Sequence, residues 1–291
     1  MIPTLTKRAV LAKRIRERDL VIAPGVFDMI STLVASQQSH PALYMTGYGT
    51  VASYLGLPDA GLASFSDMVL RAGQMANASD TPLIADADTG FGGLLNVQHT
   101  IRGFETAGVA AIQIEDQQFP KKCGHTVGRL VIPKDEMVQK VKVACAARSD
   151  PNFLIVARTD ARTGNGLEDA IERALAYRDA GADVLFVESP ESEEEFSAVA
   201  AAIDAPLLAN MVEGGRSPLI TRARLAELGY ALAIYPATGM LATATALDSA
   251  YRHIAEQGTS MGSEVPLYPI VDMHKLMGFE QVWDFEARWG E

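Results

Sequence analysis

Eight short apolar runs recur along the chain, and their continuity restricts the fold more than any other feature. They are Val21–Pro24, Ala42–Met45, Pro82–Ala85, Ala110–Ile114, Phe153–Ala157, Asp183–Val187, Pro206–Ala209 and Ala231–Tyr235. A strand with one wet face alternates apolar and polar residues. These runs do not alternate, so each reads as a parallel strand buried on both faces. Helical patterns lie between them. In Ser66–Ala78, Met68, Val69, Ala72, Met75 and Ala76 share one face, with Ser64 or Ser66 as the cap. Pro133 suits the first turn of a helix reaching about Arg148, with Met137, Val138, Val141 and Cys145 on one stripe. Leu167–Ala180 stops at Gly181, and Ser217-Pro218 opens a helix Leu219–Leu228 that Gly229 closes. Strand then helix, eight times over, predicts an α/β protein of the (β/α)8 TIM-barrel class rather than a doubly wound sheet.

Length supports this. Such a barrel takes about 250 residues, and the chain has 291. We read a single domain over 1–291, the barrel to about residue 257 and a helical extension from about 258. The extension holds both tryptophans. Leu276, Met277, Phe279, Val282, Trp283, Phe285 and Trp289 give it an apolar helical surface. That surface suits either packing on its own barrel or a subunit contact. The Glu191–Glu195 stretch reads as a solvated helix start, where acids favour the helix dipole.

Composition excludes several functions. The formal charge of −11 comes with no basic stripe, so nucleic acid is not an expected partner. No run of about 18 apolar residues occurs, so no membrane span is expected. Met1–Asp19 is basic without a long apolar run and is not a secretory signal. Cys123 and Cys145 are too few for a disulfide framework, and the expectation is a reducing, cytoplasmic setting.

Barrel chemistry sits at the C-terminal ends of the strands. The residues just beyond the runs are polar there: Thr46, Gly47 and Tyr48; Asp86 and Asp88; Glu115 and Asp116; Arg158 and Asp160; Glu188; Asn210. Any one of these could be a cap or a wet loop residue. A whole ring of costly groups at one rim points to a site. Asp86, Asp88 and Glu115 are hard oxygen ligands with no His or Cys beside them, which suits Mg²⁺ or Mn²⁺ better than zinc. Arg158 offers a planar fork for a substrate carboxylate, and Thr46 with the N–H groups of Gly47 and Tyr48 suits an oxyanion. The long segment Asp116–Ile132 contains Lys121-Lys122-Cys123-Gly124-His125. A thiol between lysines and a histidine is in an electropositive setting that favours thiolate, and Gly124 and Gly128 allow a lid. Zinc at Cys123 and His125 lacks partner ligands. Cys145, on a helix face, reads as packing. Asp59 reads as a turn acid.

These motifs resemble the isocitrate lyase and phosphoenolpyruvate mutase superfamily. Lys121-Lys122-Cys123-Gly124-His125 is similar to its active-site loop, and Asp86-Ala87-Asp88-Thr89-Gly90-Phe91-Gly92 to its metal motif. Leu57-Pro58-Asp59, Ile114-Glu115-Asp116-Gln117, Ala157-Arg158-Thr159-Asp160 and Leu208-Ala209-Asn210 match in the same order. Length and wording are most similar to the 2-methylisocitrate lyase and 2,3-dimethylmalate lyase group. The resemblance implies C-terminal helices exchanged between subunits, in a homotetramer of dimers. It implies Mg²⁺ at Asp86 and Asp88, with Asp59 and Glu115 in the outer shell, Glu115 acting through water. It implies substrate contacts from Thr46, Gly47, Tyr48, Asp59, Cys123, Gly124, Arg158, Glu188 and Asn210.

The implied reaction cleaves the C2–C3 bond of a 2-hydroxy acid, giving an α-keto acid such as pyruvate and a carboxylic acid. Cys123 is the expected general acid, since a thiol near its free pKa of about 8.5 is mostly protonated at neutral pH. Lys121 and His125 flank it, Arg158 grips the substrate, and Glu188 is a candidate base. The chain departs from methylisocitrate lyases in two places. Leu241 stands where they carry an arginine after Tyr235-Pro236, and a second arginine of the tail is missing. A tricarboxylate would leave a buried charge unpaired, which favours a smaller 2-alkylmalate. Tyr48, where small residues often stand, points the same way. Oxaloacetate hydrolases share the thiol loop and are the alternative. Phosphoenolpyruvate mutase-type phosphonate enzymes lack it and are disfavoured. A silent metabolite-binding barrel would not need Asp86, Asp88, Cys123 and Arg158 together.

Overall fold

Each of the eight apolar runs holds a strand, and four of the strands continue past the run into the polar residue after it, Asp86, Glu115, Arg158 or Asn210. The computed structural model describes residues 2–126 and 128–290. In chain order its elements are α1 Thr4–Arg16, β1 Val21–Val26, α2 Met29–Ser36, β2 Leu43–Met45, α3 Gly47–Leu55, α4 Phe65–Ala78, β3 Leu83–Asp86, α5 Leu94–Thr106 and β4 Ala111–Glu115. Then come α6 Lys134–Ala147, β5 Leu154–Thr159, α7 Ala161–Asn165, α8 Leu167–Asp179, β6 Val184–Val187, α9 Glu193–Ala202, β7 Leu208–Asn210, α10 Arg222–Glu227 and β8 Leu232–Tyr235. The last three are α11 Thr238–Gln257, α12 Ile270–Leu276 and α13 Phe279–Trp289.

Every strand pairs in parallel with its neighbour, in the order β6-β5-β4-β3-β2-β1-β8-β7. A bridge between Leu185 and Leu207 links β6 to β7, with the Leu185 N–H donating to Pro206 O at 2.9 Å. The ring is thus nearly closed, and the fold is the (β/α)8 barrel expected.

The continuous runs have a simple cause. On β5, Leu154 and Val156 join a cluster drawn from alternate positions of all eight strands, which is the barrel interior. Ile155 and Ala157 join a second cluster shared with the surrounding helices. Both faces of each strand are therefore apolar. The interior cluster also takes in Leu11, Ala12 and Ile15 of α1, a helix that the apolar pattern does not reveal. Its basic residues obscure the pattern, because two of them are buried. Lys7 Nζ donates to Ala76 O and Ser79 O, and Arg8 Nε to Val109 O at 2.8 Å. These acceptors precede β3 and β4, so α1 plugs the end where strands begin and leaves the other end for chemistry.

Local signals set several helix starts. Ser64 caps α4 in a capping box with Asp67. Gly181 follows α8 with φ 107°, a conformation that favours glycine. The expected helix from Leu219 is shorter than predicted. It begins at Arg222, because Thr221 Oγ1 accepts the Arg224 N–H at 3.3 Å and supplies a better cap than Ser217. The Glu191–Glu195 start is not simply solvated. Ser192 caps α9, and Glu195 pairs with Arg162 Nη2 at 2.5 Å. Cys145 is half-buried, its Sγ 3.1 Å from Gly181 O.

Two compact units divide after Met240. The second, from Leu241, comprises most of α11 with α12 and α13. No described side chain on these three helices is buried. Phe279, Val282, Trp283, Phe285 and Trp289 are all exposed.

Candidate active site

Inward parity carries straight into the site. On β3 the inward residues are Ile84 and then Asp86. On β4 they are Ala111, Gln113 and Glu115; on β5, Leu154, Val156 and Arg158. Continuing the same alternation brings Thr46 from β2, Glu188 from β6 and Asn210 from β7 to the same end. The polar ring is thus the top inward layer of the barrel, and all six residues are buried.

One half of the ring is acidic. Asp86, Asp88 and Glu115 are buried there, and Asp59 joins them from the loop after α3. Asp88 has φ 48°, a strained value for a side chain. Its N–H donates to Asp86 Oδ1 at 3.0 Å and its carbonyl accepts the Glu115 N–H at 2.9 Å, which hold it there. Burial pushes the carboxyls of Asp86, Asp88 and Glu115 above their usual range. The nearest cation is Lys121 from the loop after β4. Its Nζ is 2.5 Å from Asp59 Oδ1 and 2.6 Å from Asp88 Oδ1. Burial works against that ammonium, but Asp88, Asp86 and Asp59 outweigh it and hold it well above the lysine range.

Four carboxylates around one ammonium leave an excess of negative charge, and Glu115 Oε1 is buried without a hydrogen-bond partner. The donor set is hard oxygen, so the residues fit a divalent cation. Among the described residues, no three His, Cys, Asp or Glu side chains form a ready-made cage. Any ion there would draw the rest of its shell from water and substrate.

The other half centres on Arg158. Its Nε and Nη2 donate to Asp160 Oδ2 and Oδ1, both at 2.8 Å. Glu115 Oε2 lies 3.4 Å from Nε and Glu188 Oε2 3.4 Å from Nη1. The guanidinium is therefore not the open fork expected. Asp160 occupies one edge, and Nη1 is what remains toward Glu188. Glu188 is completely buried and accepts from Ser189 Oγ at 3.0 Å and Asn210 Nδ2 at 3.0 Å.

The segment Asp116–Ile132 closes over both halves. Gln117 Nε2 donates to Lys122 O at 2.8 Å and Gln117 Oε1 accepts the Lys122 N–H at 2.9 Å, which folds the loop back on its strand. The Cys123 N–H donates to Asp59 O at 3.2 Å, and Ser189 Oγ to Gly124 O at 3.3 Å. His125 Nδ1 accepts the Arg216 N–H at 3.3 Å, and its Nε2 lies 3.3 Å from Asn210 Nδ2 and 3.7 Å from Glu188 Oε1. Burial lowers the His125 pKa, against the pull of Glu188.

The thiol setting differs from the sequence expectation. Burial pushes the Cys123 thiol up, not down. The reason is that its lysine neighbours point elsewhere: Lys121 to Asp59 and Asp88, and Lys122 to Gly128 O at 3.2 Å. Tyr48 is 43% exposed, on the first turn of α3. Gly47 faces the acids, and a Cβ there would lie 2.5 Å from Asp86 Oδ2.

Gln113 and Tyr44 are members of the site that the strand-end pattern does not single out. Tyr44 Oη donates to Gln113 Oε1 at 2.8 Å, and Gln113 Nε2 lies 3.4 Å from Asp86 Oδ1. An amide inside the otherwise apolar run Ala110–Ile114 is the signal that could have found them.

A barrel whose top layer gathers acids, an arginine and a lid-borne thiol is an enzyme site. The chain belongs to the phosphoenolpyruvate phosphomutase family, whose profile matches residues 11–255. It is 46% identical over 269 residues to a 2,3-dimethylmalate lyase of Eubacterium barkeri, covering 92% of this chain and 93% of that one. It is 43% identical over 279 residues to a 2-methylisocitrate lyase of Aeropyrum pernix, covering 96% and 89%. A structure of oxaloacetate acetylhydrolase with the inhibitor 3,3-difluorooxalacetate superposes with a TM-score of 0.92 at 34% identity, covering 98% of both chains. The chain is a lyase of this superfamily.

Proposed function

We propose that the protein is a Mg²⁺-dependent carbon–carbon lyase that splits a 2-alkylmalate, of which 2,3-dimethylmalate is the type, into pyruvate and a carboxylic acid. The observation that carries it is Cys123. The closed lid brings a thiol that burial keeps protonated to a buried set of acids and one arginine. That is what protonation of a departing carbanion needs.

Asp86 and Asp88 would hold the ion, with Glu115 and Asp59 through water. Mn²⁺ would fit the same oxygen donors. When bound, the ion supplies Lewis acidity toward the substrate's carboxylate and C2 oxygen. Arg158 Nη1 holds a carboxylate, and Thr46, Gly47 and Tyr48 line the approach. Glu188 takes the C2 hydroxyl proton, with Asn210 and His125 fixing its carboxylate. The C2–C3 bond breaks, C2 becomes the keto carbon, and the electron pair passes to C3 as the enediolate of the departing acid. Cys123 gives its proton to C3. Lys121 and His125 stand beside the thiolate that results, and the lid keeps water from the carbanion.

The smaller substrate is favoured because Leu241 brings no cation for a third carboxylate, and because the relative of Eubacterium barkeri is named for 2,3-dimethylmalate. The likeness to oxaloacetate acetylhydrolase supports one further reading, hydrolysis of oxaloacetate to oxalate and acetate. The exposed apolar tail supports assembly into a homotetramer with exchanged helices. Among the described residues no helix is long and apolar enough to cross a membrane, and a cytoplasmic site of action suits the free thiol. The test is a screen of 2,3-dimethylmalate, 2-methylisocitrate and oxaloacetate with and without EDTA. Pyruvate from dimethylmalate, abolished by EDTA and restored by Mg²⁺, is the expected result. Oxalate release would favour the hydrolase. No cleavage of any of the three would overturn the lyase reading.

A further inference from the structure

The lid makes a deeper contact that its thiol motif does not explain. Arg129 follows Cys123 in the same loop, and its side chain is 1% exposed. Its Nη1 donates to Asp160 Oδ1 at 2.5 Å and its Nη2 to Thr163 Oγ1 at 2.6 Å. The same Asp160 carboxylate receives Arg158 Nε and Nη2, both at 2.8 Å. Asp160 is thus shared between an arginine of the lid and an arginine of the barrel. It cannot turn away, because its own N–H is tied to Asp116 Oδ1 at 2.9 Å. Asp116 in turn accepts from Thr159 Oγ1 and Tyr177 Oη, both at 2.7 Å.

A loop could be anchored more cheaply. Burying an ion pair rarely stabilises more than apolar packing of the same volume, so stability alone is a poor reason for Arg129. Its electrostatic effect is a better one. With the lid down, Arg158 and Arg129 face Asp160, Glu115 and Glu188. Without Arg129, a single guanidinium would face all three carboxylates, and the pocket would repel an anionic substrate. Arg129 also takes part of the Asp160 charge, which leaves more of the Arg158 charge for a substrate carboxylate.

We propose that Arg129 is a positioning residue, the latch through which lid closure and the readiness of Arg158 become one event. The substrate named in its test rests on the lyase reading, but the latch itself rests only on the shared carboxylate.

The experiment compares wild type with Arg129→Gln, Arg129→Lys, Asp160→Asn and Arg129→Gln/Asp160→Asn. On 2,3-dimethylmalate, Arg129→Gln should lose roughly 30-fold in kcat/KM, shared between a higher KM, because the pocket then repels the anion, and a lower kcat, because closure no longer readies Arg158. Arg129→Lys should recover part of the loss, because it keeps the charge but not the fork. The double variant should be no worse than Asp160→Asn. Multiplying losses, or an Arg129→Gln enzyme with wild-type kcat, would overturn the latch. Trypsin supplies a readout that needs no substrate. In Asp160→Asn the freed lid should be cut after Lys121 or Lys122 about 10-fold faster than in wild type, each protein held the same interval below its own melting temperature, since losing a buried ion-pair partner lowers that temperature. Equal cutting rates would overturn the latch even if no acid is cleaved. A wild-type enzyme that cleaves nothing while the cutting rates differ would sink the lyase reading and leave the latch standing.

Discussion

Gly124 lies so close to Arg158 that a Cβ on the glycine would stand 2.3 Å from the guanidinium Nη2, and 3.0 Å from the carboxyl carbon of Glu188. The arginine cannot retreat, because that same Nη2, together with Nε, is held by Asp160. The lid closes against the barrel with bare backbone.

Gly124→Ala should therefore hold the lid ajar. A displacement of about 1 Å in a catalytic loop costs on the order of 10²-fold in rate. We expect that loss in kcat, with the thermal midpoint within about 2 °C of wild type, since Gly124 is outside both apolar clusters. A variant with wild-type kcat would mean that the closed lid is not the reacting form.

Cys123 must be protonated to act as an acid. Burial raises its pKa, so the thiol stays protonated below that raised value and is lost as pH rises through it. The kcat profile should hold level through pH 8 and fall only above the ordinary thiol range of about 8.5. Cys123→Ser should cut turnover by roughly 10³-fold while substrate binding by calorimetry persists. Near-normal turnover in that variant, or an alkaline limb below pH 8, would remove the general-acid role.

Lys121 is the nearest cation among buried acids, with its side chain 3% exposed. Lys121→Met leaves Asp59 and Asp88 facing each other uncompensated. Breaking one side of a buried pair costs about 3–5 kcal/mol, which urea unfolding would read as a lower midpoint. Millimolar Mg²⁺ should restore part of it by binding the folded acids. An unchanged midpoint would show that the acids are already neutral without the lysine.

Gln113 connects Tyr44 to Asp86 inside the barrel. Gln113→Leu removes the acceptor of a buried phenol and one of the donors near Asp86 Oδ1. A stranded buried donor costs about 1–3 kcal/mol. We expect that loss of stability together with weaker Mg²⁺ binding by calorimetry. Unaltered metal affinity would limit Gln113 to packing.

Much of this site is legible in the order of residues alone. Asp86, Asp88, Glu115, Arg158, Glu188 and Asn210 each follow or end a continuous apolar run, and two-residue alternation along each strand fixes which of them turn inward. Cys123, Gly124 and His125 stand in a loop too long to be a plain connection. Other features are not legible there. Nothing in the order of residues shows that Arg129 meets Asp160, that Lys121 spends its charge on Asp59 and Asp88, or that Lys7 and Arg8 are buried under the barrel. Each is a contact between segments distant in sequence, and side-chain charge says nothing of its partner.

The chain's own pattern determined the eight strands, their parallel pairing and the rim that carries the chemistry, because burial on both strand faces leaves a local, periodic mark. The tertiary structure decided the state of each group on that rim. Whether Cys123 keeps its proton and whether Arg158 has a free edge depend on burial and on neighbours brought from other loops, since the energy of a charge is set by what surrounds it.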